Sequence, residues 1–128
     1  MTTILVVDDA EDAADLLVLL FEACGHLAHV AYDGKEGLAE AKRFMPHIIF
    51  LDLDMPLLDG FSAAKAIRAS PDTDHPFIVA LTARSGADIE AQTNAAGFDL
   101  YLQKPADTNA LLALVDDLAG RDHESASA

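Results

Sequence analysis

Five short runs of mainly apolar residues recur along the chain and predict the strands of a sheet. They cover residues 3–8, 26–32, 48–51, 77–81 and 98–102. The central run is unbroken, rich in β-branched and aromatic residues, and ends abruptly at Asp52. Unbroken apolar runs of this length are typical of strands that are buried on both faces. The pattern therefore indicates a sheet that is covered on both sides.

The segment that follows the first run carries apolar residues at helical spacing. Over residues 12–24 the predicted buried stripe comprises Ala13, Leu16 or Leu17, Leu20 and Cys24. Gly25 stands directly after this helix, at the position that glycine favours because it accepts a left-handed conformation. On this pattern Cys24 is a small apolar residue of the core.

Four more helices are bounded by residues that favour helix ends. The predicted starts are Asp33 with Glu36 three residues later, the turn Asp59-Gly60, Ser85 with Asp88, and Asp107. The predicted ends of the second, third and fourth helices are Pro46, Ser70-Pro71 and Gly97. The last helix places Leu111, Leu114 or Val115, and Leu118 on one face.

Five strands thus alternate with five helices, and every connection is long enough for a right-handed crossover between parallel strands. We expect an α/β fold with a doubly wound, flavodoxin-like (βα)5 arrangement: a five-stranded parallel sheet in the order 2-1-3-4-5 with helices on both faces. Residues 1–119 form one domain in this interpretation. Residues 120–128 are small and polar and are expected to form a flexible C-terminal tail.

Composition and charge exclude several classes of function. The net charge of −14 argues against direct nucleic-acid binding, because that affinity depends largely on Lys and Arg. The N-terminus has no positively charged segment, and no apolar run approaches membrane-spanning length, so neither a signal peptide nor membrane insertion is expected. The single Cys cannot form an internal disulfide, which agrees with a reducing compartment. We therefore expect a cytoplasmic protein.

Polar residues stand at the ends of four of the five predicted strands. They are Asp8 and Asp9, Asp52, Thr82, and Lys104. In the order 2-1-3-4-5 the first and third strands are neighbours, so their acids meet in one crevice. Two unit charges ~4 Å apart repel by ~4 kcal/mol at an effective dielectric constant of ~20, so such a cluster needs a cation or must give up charge.

A hard divalent cation, Mg²⁺ or Mn²⁺, suits a set of carboxylate oxygens. The histidines and the cysteine show no transition-metal spacing, and all five histidines are interpreted as structural or surface residues. A metal-bound carboxylate, the hydroxyl of Thr82 and the ammonium of Lys104 together describe a phosphoryl site. An Asp is a suitable nucleophile there, with cations neutralising the phosphoryl oxygens.

With these positions assigned, residues 3–119 resemble the receiver domain of two-component response regulators. The resemblance depends on four stretches: ILVVDD with Asp8 and Asp9, DLDMPLLDG from Asp52 to Gly60, ALTA with Thr82 and Ala83, and Tyr101 three residues before Lys104-Pro105. It implies that Asp52 is phosphorylated by a sensor histidine kinase or a histidine phosphotransfer protein. It also implies a Mg²⁺ site made by Asp9, Asp52 and the backbone carbonyl of Asp54, with Asp8 helping largely through water.

The same resemblance implies roles for the remaining site residues. Lys104 and the Thr82 hydroxyl hold the phosphoryl group, and Thr82 moves toward it on activation. Tyr101 turns inward as Thr82 moves, which changes the surface of the fourth helix, fifth strand and fifth helix. The Lys104-Pro105 peptide bond is expected to be cis. Asp54 and Arg84 occupy variable positions that tune phosphoryl lifetime, and we expect the charge of Asp54 to alter the dephosphorylation rate.

Two alternatives come from other classes of protein. Asp52 and Asp54 form the D-x-D pair of haloacid-dehalogenase-like phosphatases, although that family places its nucleophile near the N-terminus and adds an acidic motif that is absent after Lys104. The other alternative is an interaction module that never accepts phosphate. In the receiver interpretation the chain is a phosphoacceptor and not a turnover enzyme. It then acts as a monomer or weak dimer on an unknown downstream protein, as a phosphate shuttle or sink, or as a piece of a hybrid kinase.

Overall fold

The computed structural model describes residues 2–55 and 60–127, with side chains described as far as Gly120, and strands and helices alternate throughout it. The strands are β1 Thr3–Val7, β2 Leu27–Ala31, β3 Ile48–Asp52, β4 Phe77–Thr82 and β5 Leu100–Gln103. The helices are α1 Glu11–Ala23, α2 Gly34–Phe44, α3 Gly60–Ala69, α4 Ala87–Ala96 and α5 Thr108–Ser127. The predicted alternation of five strands and five helices is confirmed.

The strands form one parallel sheet in the order β2-β1-β3-β4-β5, as predicted. Val7 at the end of β1 is paired with Leu51, which directly precedes Asp52 at the end of β3. Asp52 is in turn paired with Leu81, one residue before the end of β4. This register brings the carboxyl ends of β1, β3 and β4 to one edge of the sheet.

Alternate side chains of the strands enter two separate cores. Ile4, Val6, Ile48 and Phe50 pack under α1 and α5, and the Phe50 ring stacks on Phe21 of α1 with 5.3 Å between ring centres. The neighbouring strand residues pack under α2, α3 and α4; they include Leu5, Val7, Ile49 and Leu51. The sheet is therefore covered on both faces, as the unbroken apolar runs predict.

The buried face of α1 differs from the predicted stripe. Ala14 and Phe21 are buried, and Leu17, one of the two predicted alternatives, is partly buried against the same core. Ala13 is exposed, and Leu16 keeps 57% of its surface exposed. Apolar residues occupy most of this helix, so their spacing does not select one face, and the stacking of Phe21 on the sheet decides the orientation. Cys24 is also exposed, at the C-terminal end of the helix, so its predicted core position is wrong.

The predicted helix caps were right at two positions and wrong at one. Asp33 accepts a hydrogen bond from the Glu36 amide at 2.7 Å, and Asp107 accepts one from the Asn109 amide at 3.0 Å. The Ser85 and Asp88 pattern does not cap α4, which begins after Gly86 with no side-chain hydrogen bond to the cap. A φ of 109° at Gly86 turns the chain into the helix at that position.

Strand β5 starts two residues later than predicted. The Phe98 amide donates to the Thr93 carbonyl of α4, so this residue still belongs to the helix end. The structure also extends α5 to Ser127, through most of the segment expected to be a tail. Asp59 of the predicted Asp59-Gly60 turn lies outside the described residues. Within the described part of the chain, no helix has the length and apolar character needed to cross a membrane.

Candidate functional site

The carboxyl edge of the sheet brings the predicted site residues together. Asp8 follows β1, Asp52 ends β3, Thr82 ends β4, and Lys104 follows β5. Asp8, Asp52 and Thr82 are buried, with 5%, 2% and 0% of their surfaces exposed. Buried polar side chains on converging strand ends form a small polar site, as expected for a crevice between β1 and β3.

Three carboxylates make up one side of this site. Carboxylate oxygens of Asp8, Asp9 and Asp52 all lie within 4.8 Å of one another. Burial raises the pKa of the Asp8 carboxyl to about 6, and neighbouring Asp52 contributes to the increase. The Ala10 amide donates to Oδ1 of Asp8 at 2.9 Å and acts to lower this pKa. Two of the three carboxylates, those of Asp8 and Asp52, thus have little access to water, whereas Asp9 is exposed. This oxygen donor set fits a hard divalent cation such as Mg²⁺.

Lys104 provides the positive charge of the site. Its Nζ donates to Oδ1 of Asp52 at 2.7 Å and lies 3.6 Å from Oδ2 of Asp54. Partial burial acts to lower the pKa of Lys104, but the hydrogen bond and charge of Asp52, with Asp8 and Asp54, raise it above its usual value. The Lys104 amide donates to the Thr82 carbonyl at 2.7 Å, and the Lys104-Pro105 bond is cis. The amide hydrogen bond to Thr82 therefore fixes the backbone of Lys104, and the ammonium remains charged.

The side chain of Asp54 makes contacts in the site that the sequence did not predict. Its Oδ1 accepts from the Thr82 hydroxyl at 3.1 Å, and its Oδ2 accepts from the Ala83 amide at 2.9 Å. Burial acts to raise the pKa of Asp54, but the Ala83 amide, Thr82 and Lys104 together lower it. The sequence indicated an extra charge at this position, but only the folded chain shows which donors it contacts.

Arg84 and Tyr101 lie beside the site. The Arg84 amide donates to the Thr82 hydroxyl oxygen at 3.1 Å, while its guanidinium lies 5.5 Å from the centre of the Phe61 ring on α3. Tyr101 is paired with Ala80 of β4, is half-buried, and packs against the core under α2, α3 and α4. Tyr101 is therefore on the same sheet face as α4, and its switch role stays a prediction.

An apolar groove borders the acidic cluster and was missed by sequence reasoning. Leu16 and Leu17 of α1 form one wall, and Pro105, Ala106 and Leu111 form the other. Asp8 and Lys104 also line the groove, and Lys104 in turn contacts Asp52. The sequence left open whether Leu16 or Leu17 faces the core, so the exposed groove became apparent only from the orientation of α1.

Comparisons with known proteins agree with this arrangement. The family model described as "Response regulator receiver domain" matches residues 4–116. PleD of Caulobacter vibrioides, a response regulator, is 38% identical over 115 residues, which are 90% of this chain and 25% of PleD. The transcriptional regulatory protein PrrA of Mycobacterium tuberculosis is 40% identical over 97% of this chain and 52% of PrrA. This chain therefore spans about half of PrrA and a quarter of PleD.

Solved structures show the same fold. The chemotaxis protein CheY4 of Vibrio cholerae superposes with a TM-score of 0.86 at 27% identity, covering 92% of this chain and 98% of CheY4. The receiver domain of the Francisella response regulator 1452 superposes with a TM-score of 0.85 at 30% identity, covering 95% of this chain and 99% of that domain. Neither the family model nor these relatives support the phosphatase alternative. Because the matched model runs through all five strands and into α5, this chain belongs to the family of response regulator receiver domains, which act in phosphorelays.

Proposed function

We propose that Asp52 accepts a phosphoryl group from the phosphohistidine of a sensor histidine kinase or of a histidine phosphotransfer protein. The observation that carries this proposal is the placement of Asp52: a buried carboxylate at a strand end, 2.7 Å from the ammonium of Lys104 and next to two further carboxylates. Such a group is a nucleophile already paired with a cation that can neutralise phosphoryl oxygens.

The transfer replaces one phosphorus bond by another. A carboxylate oxygen of Asp52 attacks phosphorus, a P–O bond forms, and the P–N bond of phosphohistidine breaks. The electron pair of that bond goes to the imidazole nitrogen, which takes a proton from solvent. Lys104 faces the developing negative charge, and the hydroxyl of Thr82 and the Ala83 amide are hydrogen-bond donors on the adjacent strand end.

The acidic cluster is the proposed metal site. Asp8, Asp9 and Asp52 would hold Mg²⁺ or Mn²⁺ with their carboxylates, and Asp54 would contribute its backbone carbonyl. Bound there, the metal ion supplies positive charge that offsets repulsion between the acids and an incoming phosphoryl group. The proximity of the three carboxylates supports this assignment, because their oxygens lie within 4.8 Å of one another and like charges at that distance repel.

Hydrolysis returns the domain to its starting state. Water attacks phosphorus, the P–O bond to Asp52 breaks, and inorganic phosphate leaves with the carboxylate restored. The domain thus catalyses its own phosphorylation and dephosphorylation and is not a turnover enzyme for external substrates. Phosphorylation draws Thr82 toward the new anion and Tyr101 inward, which changes the α4, β5 and α5 surface that a downstream protein reads.

The apolar groove beside Asp52 is the proposed contact for the phosphohistidine donor. It is lined by Leu16, which is 57% exposed, and it leads directly to Asp8 and Lys104. A Leu16→Glu variant should accept phosphate from a protein donor at least about fivefold more slowly, since we expect charge in an apolar contact to cost about 1 kcal/mol or more. Its rate with acetyl phosphate should stay unchanged. Leu27→Glu, on the edge strand β2, is the matched control for an exposed leucine away from the groove.

We further propose a cytoplasmic domain that works as a monomer or weak dimer, either as a regulator or as a phosphate shuttle or sink. The decisive test of phosphate acceptance is intact mass after incubation with acetyl phosphate, for the natural protein and Asp52→Asn, with and without Mg²⁺. One phosphoryl adduct that requires both Asp52 and Mg²⁺ is expected. An interaction module would show no adduct under any of these conditions, and that result would overturn the proposal.

A further inference from the structure

The carboxylate of Asp54 already contacts three groups of the proposed phosphoryl site. Its Oδ1 accepts from the hydroxyl of Thr82 at 3.1 Å, and its Oδ2 accepts from the Ala83 amide at 2.9 Å. The same Oδ2 lies 3.6 Å from the Nζ of Lys104. An anion with two oxygens therefore satisfies a hydroxyl, a backbone amide and an ammonium that converge from the ends of β4 and β5.

We propose that the Asp54 side chain occupies the phosphoryl-oxygen position in the unphosphorylated domain and competes with the incoming phosphoryl group. This inference deepens the proposed function and depends on Asp52 being the acceptor. The donors that Asp54 engages are those available to the oxygens of a phosphoryl group on Asp52. Both anions cannot use the same hydroxyl and backbone amide at once, because each of these groups has a single hydrogen to donate. The ammonium of Lys104 has three hydrogens and already faces both Asp52 and Asp54.

The side chain of Asp54 can leave this position without disturbing the core. About a third of its side-chain surface, 31%, is exposed, whereas the side chain of Asp52 is 3% exposed. Asp54 also donates its backbone amide to Oδ1 of Asp52 at 2.9 Å, a bond that side-chain rotation leaves intact. Rotation about the side-chain bonds therefore exchanges three donors for water while the backbone keeps its place.

Competition of this kind lowers the rate of phosphorylation in a defined way. The phosphodonor reacts only with the fraction of molecules in which the Asp54 carboxylate has moved out. Its apparent affinity is reduced by that fraction, as for any ligand whose binding-competent state is partly populated. Removing the carboxylate makes every molecule competent. We expect Asp54→Ala to be phosphorylated about fivefold faster than the natural protein at limiting phosphodonor.

The test compares Asp54→Ala and Asp54→Asn with the natural protein, using acetyl phosphate and Mg²⁺ and following the adduct by intact mass. Asp54→Asn keeps an oxygen acceptor but loses the charge that faces Lys104, so its rate should lie between the other two. Asp72→Asn, in the exposed loop after α3, is the control for loss of one negative charge away from the site. It should match the natural protein.

A second measurement distinguishes occupancy of the phosphoryl-oxygen position by Asp54 from a general effect of its negative charge. The amide signal of Ala83 in a ¹H–¹⁵N spectrum of the unphosphorylated domain reports the hydrogen bond to Asp54. That signal should move upfield in proton shift in Asp54→Ala, because the amide then donates to water instead of a carboxylate. Phosphorylation of Asp54→Ala should return it toward its position in the natural protein.

Each outcome decides between the hypotheses. Faster phosphorylation of Asp54→Ala together with a shifted Ala83 amide supports the inference. A natural protein that is phosphorylated no more slowly than Asp54→Ala, or an Ala83 signal that is unchanged in the variant, overturns it. If no protein in the series is phosphorylated, the proposed function fails instead, and the Ala83 amide still reports whether Asp54 occupies the position.

Discussion

The ammonium of Lys104 lies 2.7 Å from Oδ1 of Asp52, and this contact connects the end of β3 to the residue after β5 across the intervening strand β4. The Asp52 side chain is 3% exposed and that of Lys104 is 32% exposed. Lys104 thus compensates a carboxylate that has little access to water. The contact is part of the domain's stability as well as of its proposed chemistry.

Replacing Lys104 by Met should lower the free energy of unfolding in the absence of Mg²⁺. Removing one partner of a buried pair costs 3–5 kcal/mol, but Lys104 is partly solvated, so we expect about 1–2 kcal/mol. Urea unfolding in EDTA measures this. The double variant Asp52→Asn/Lys104→Met should lose less than the sum of the single variants, because the two residues interact. Strictly additive losses would show that the ion pair does not stabilise the domain.

Stability should depend on pH through Asp8. The pKa of Asp8 is about 6 in the folded domain against 3.8 when unfolded. Between pH 3.8 and pH 6 the Asp8 carboxyl therefore binds a proton more strongly in the folded state than in the unfolded state. Ionisation therefore costs stability as pH rises from 4 to 6, and the cost persists above pH 6. We expect Asp8→Asn to be about 1–2 kcal/mol more stable at pH 7.5 in EDTA, after allowance for solvent in the site.

The same comparison at pH 4 provides the control for Asp8. There the carboxyl of the natural protein is largely protonated in the folded state, so the gain from Asp8→Asn should shrink. Unfolding by urea at a series of pH values measures the free energy of unfolding of both proteins. A difference between the two proteins that stays constant from pH 4 to pH 7.5 would contradict the predicted linkage.

Adding Mg²⁺ should stabilise the natural protein. At ten times the dissociation constant a single site adds about 1.4 kcal/mol, which is measured as a rise in melting temperature. Asp9→Asn should reduce the rise, because it removes one carboxylate from the cluster. Asp12→Asn, on the exposed first turn of α1, is the control and should retain the full effect. Equal shifts for both variants would place the ion elsewhere.

Gly60 packs directly against the strand that carries Asp52. A Cβ at Gly60 would lie 2.8 Å from the Asp52 carbonyl oxygen and 2.6 Å from Cδ2 of Leu53. Gly60→Ala should therefore displace the β3 end and lower the free energy of unfolding by about 1–3 kcal/mol. Gly120→Ala, where a Cβ has nothing within 4 Å, should instead stabilise α5 slightly. Denaturant unfolding of both variants checks the contrast.

Local patterns were sufficient to predict the strands and the residues at the carboxyl edge, whereas the order 2-1-3-4-5 was taken from flavodoxin-like sheets. A strand buried on both faces requires an unbroken apolar run, and the polar residue that ends each run marks its terminus. Parallel connectivity then brings Asp8, Asp52, Thr82 and Lys104 to one edge without knowledge of any side-chain contact. These inferences use only the chain order and the two faces of a strand, which are local properties.

Contacts between residues that are distant in the sequence could be identified only in the folded structure. The apolar residues of α1 surround the helix, so only packing against Phe50 shows that Phe21 is buried and Leu16 exposed. No sequence pattern predicted a role for Arg68. Its guanidinium nevertheless donates to the carbonyls of Pro76 and Gly97 and to the carboxylate of Asp99, and the distance to the Gly97 oxygen is 2.8 Å.

The same limit applies to Asp54. Its position two residues after Asp52 indicated a charge near the site, but the three donors that it meets come from the ends of β4 and β5. Side-chain torsions and long-range register set those distances, and neither leaves a periodic signal along the chain. The residues of the site follow from local pattern because strand ends are encoded locally. Which of them touch in the unphosphorylated domain is decided by tertiary packing.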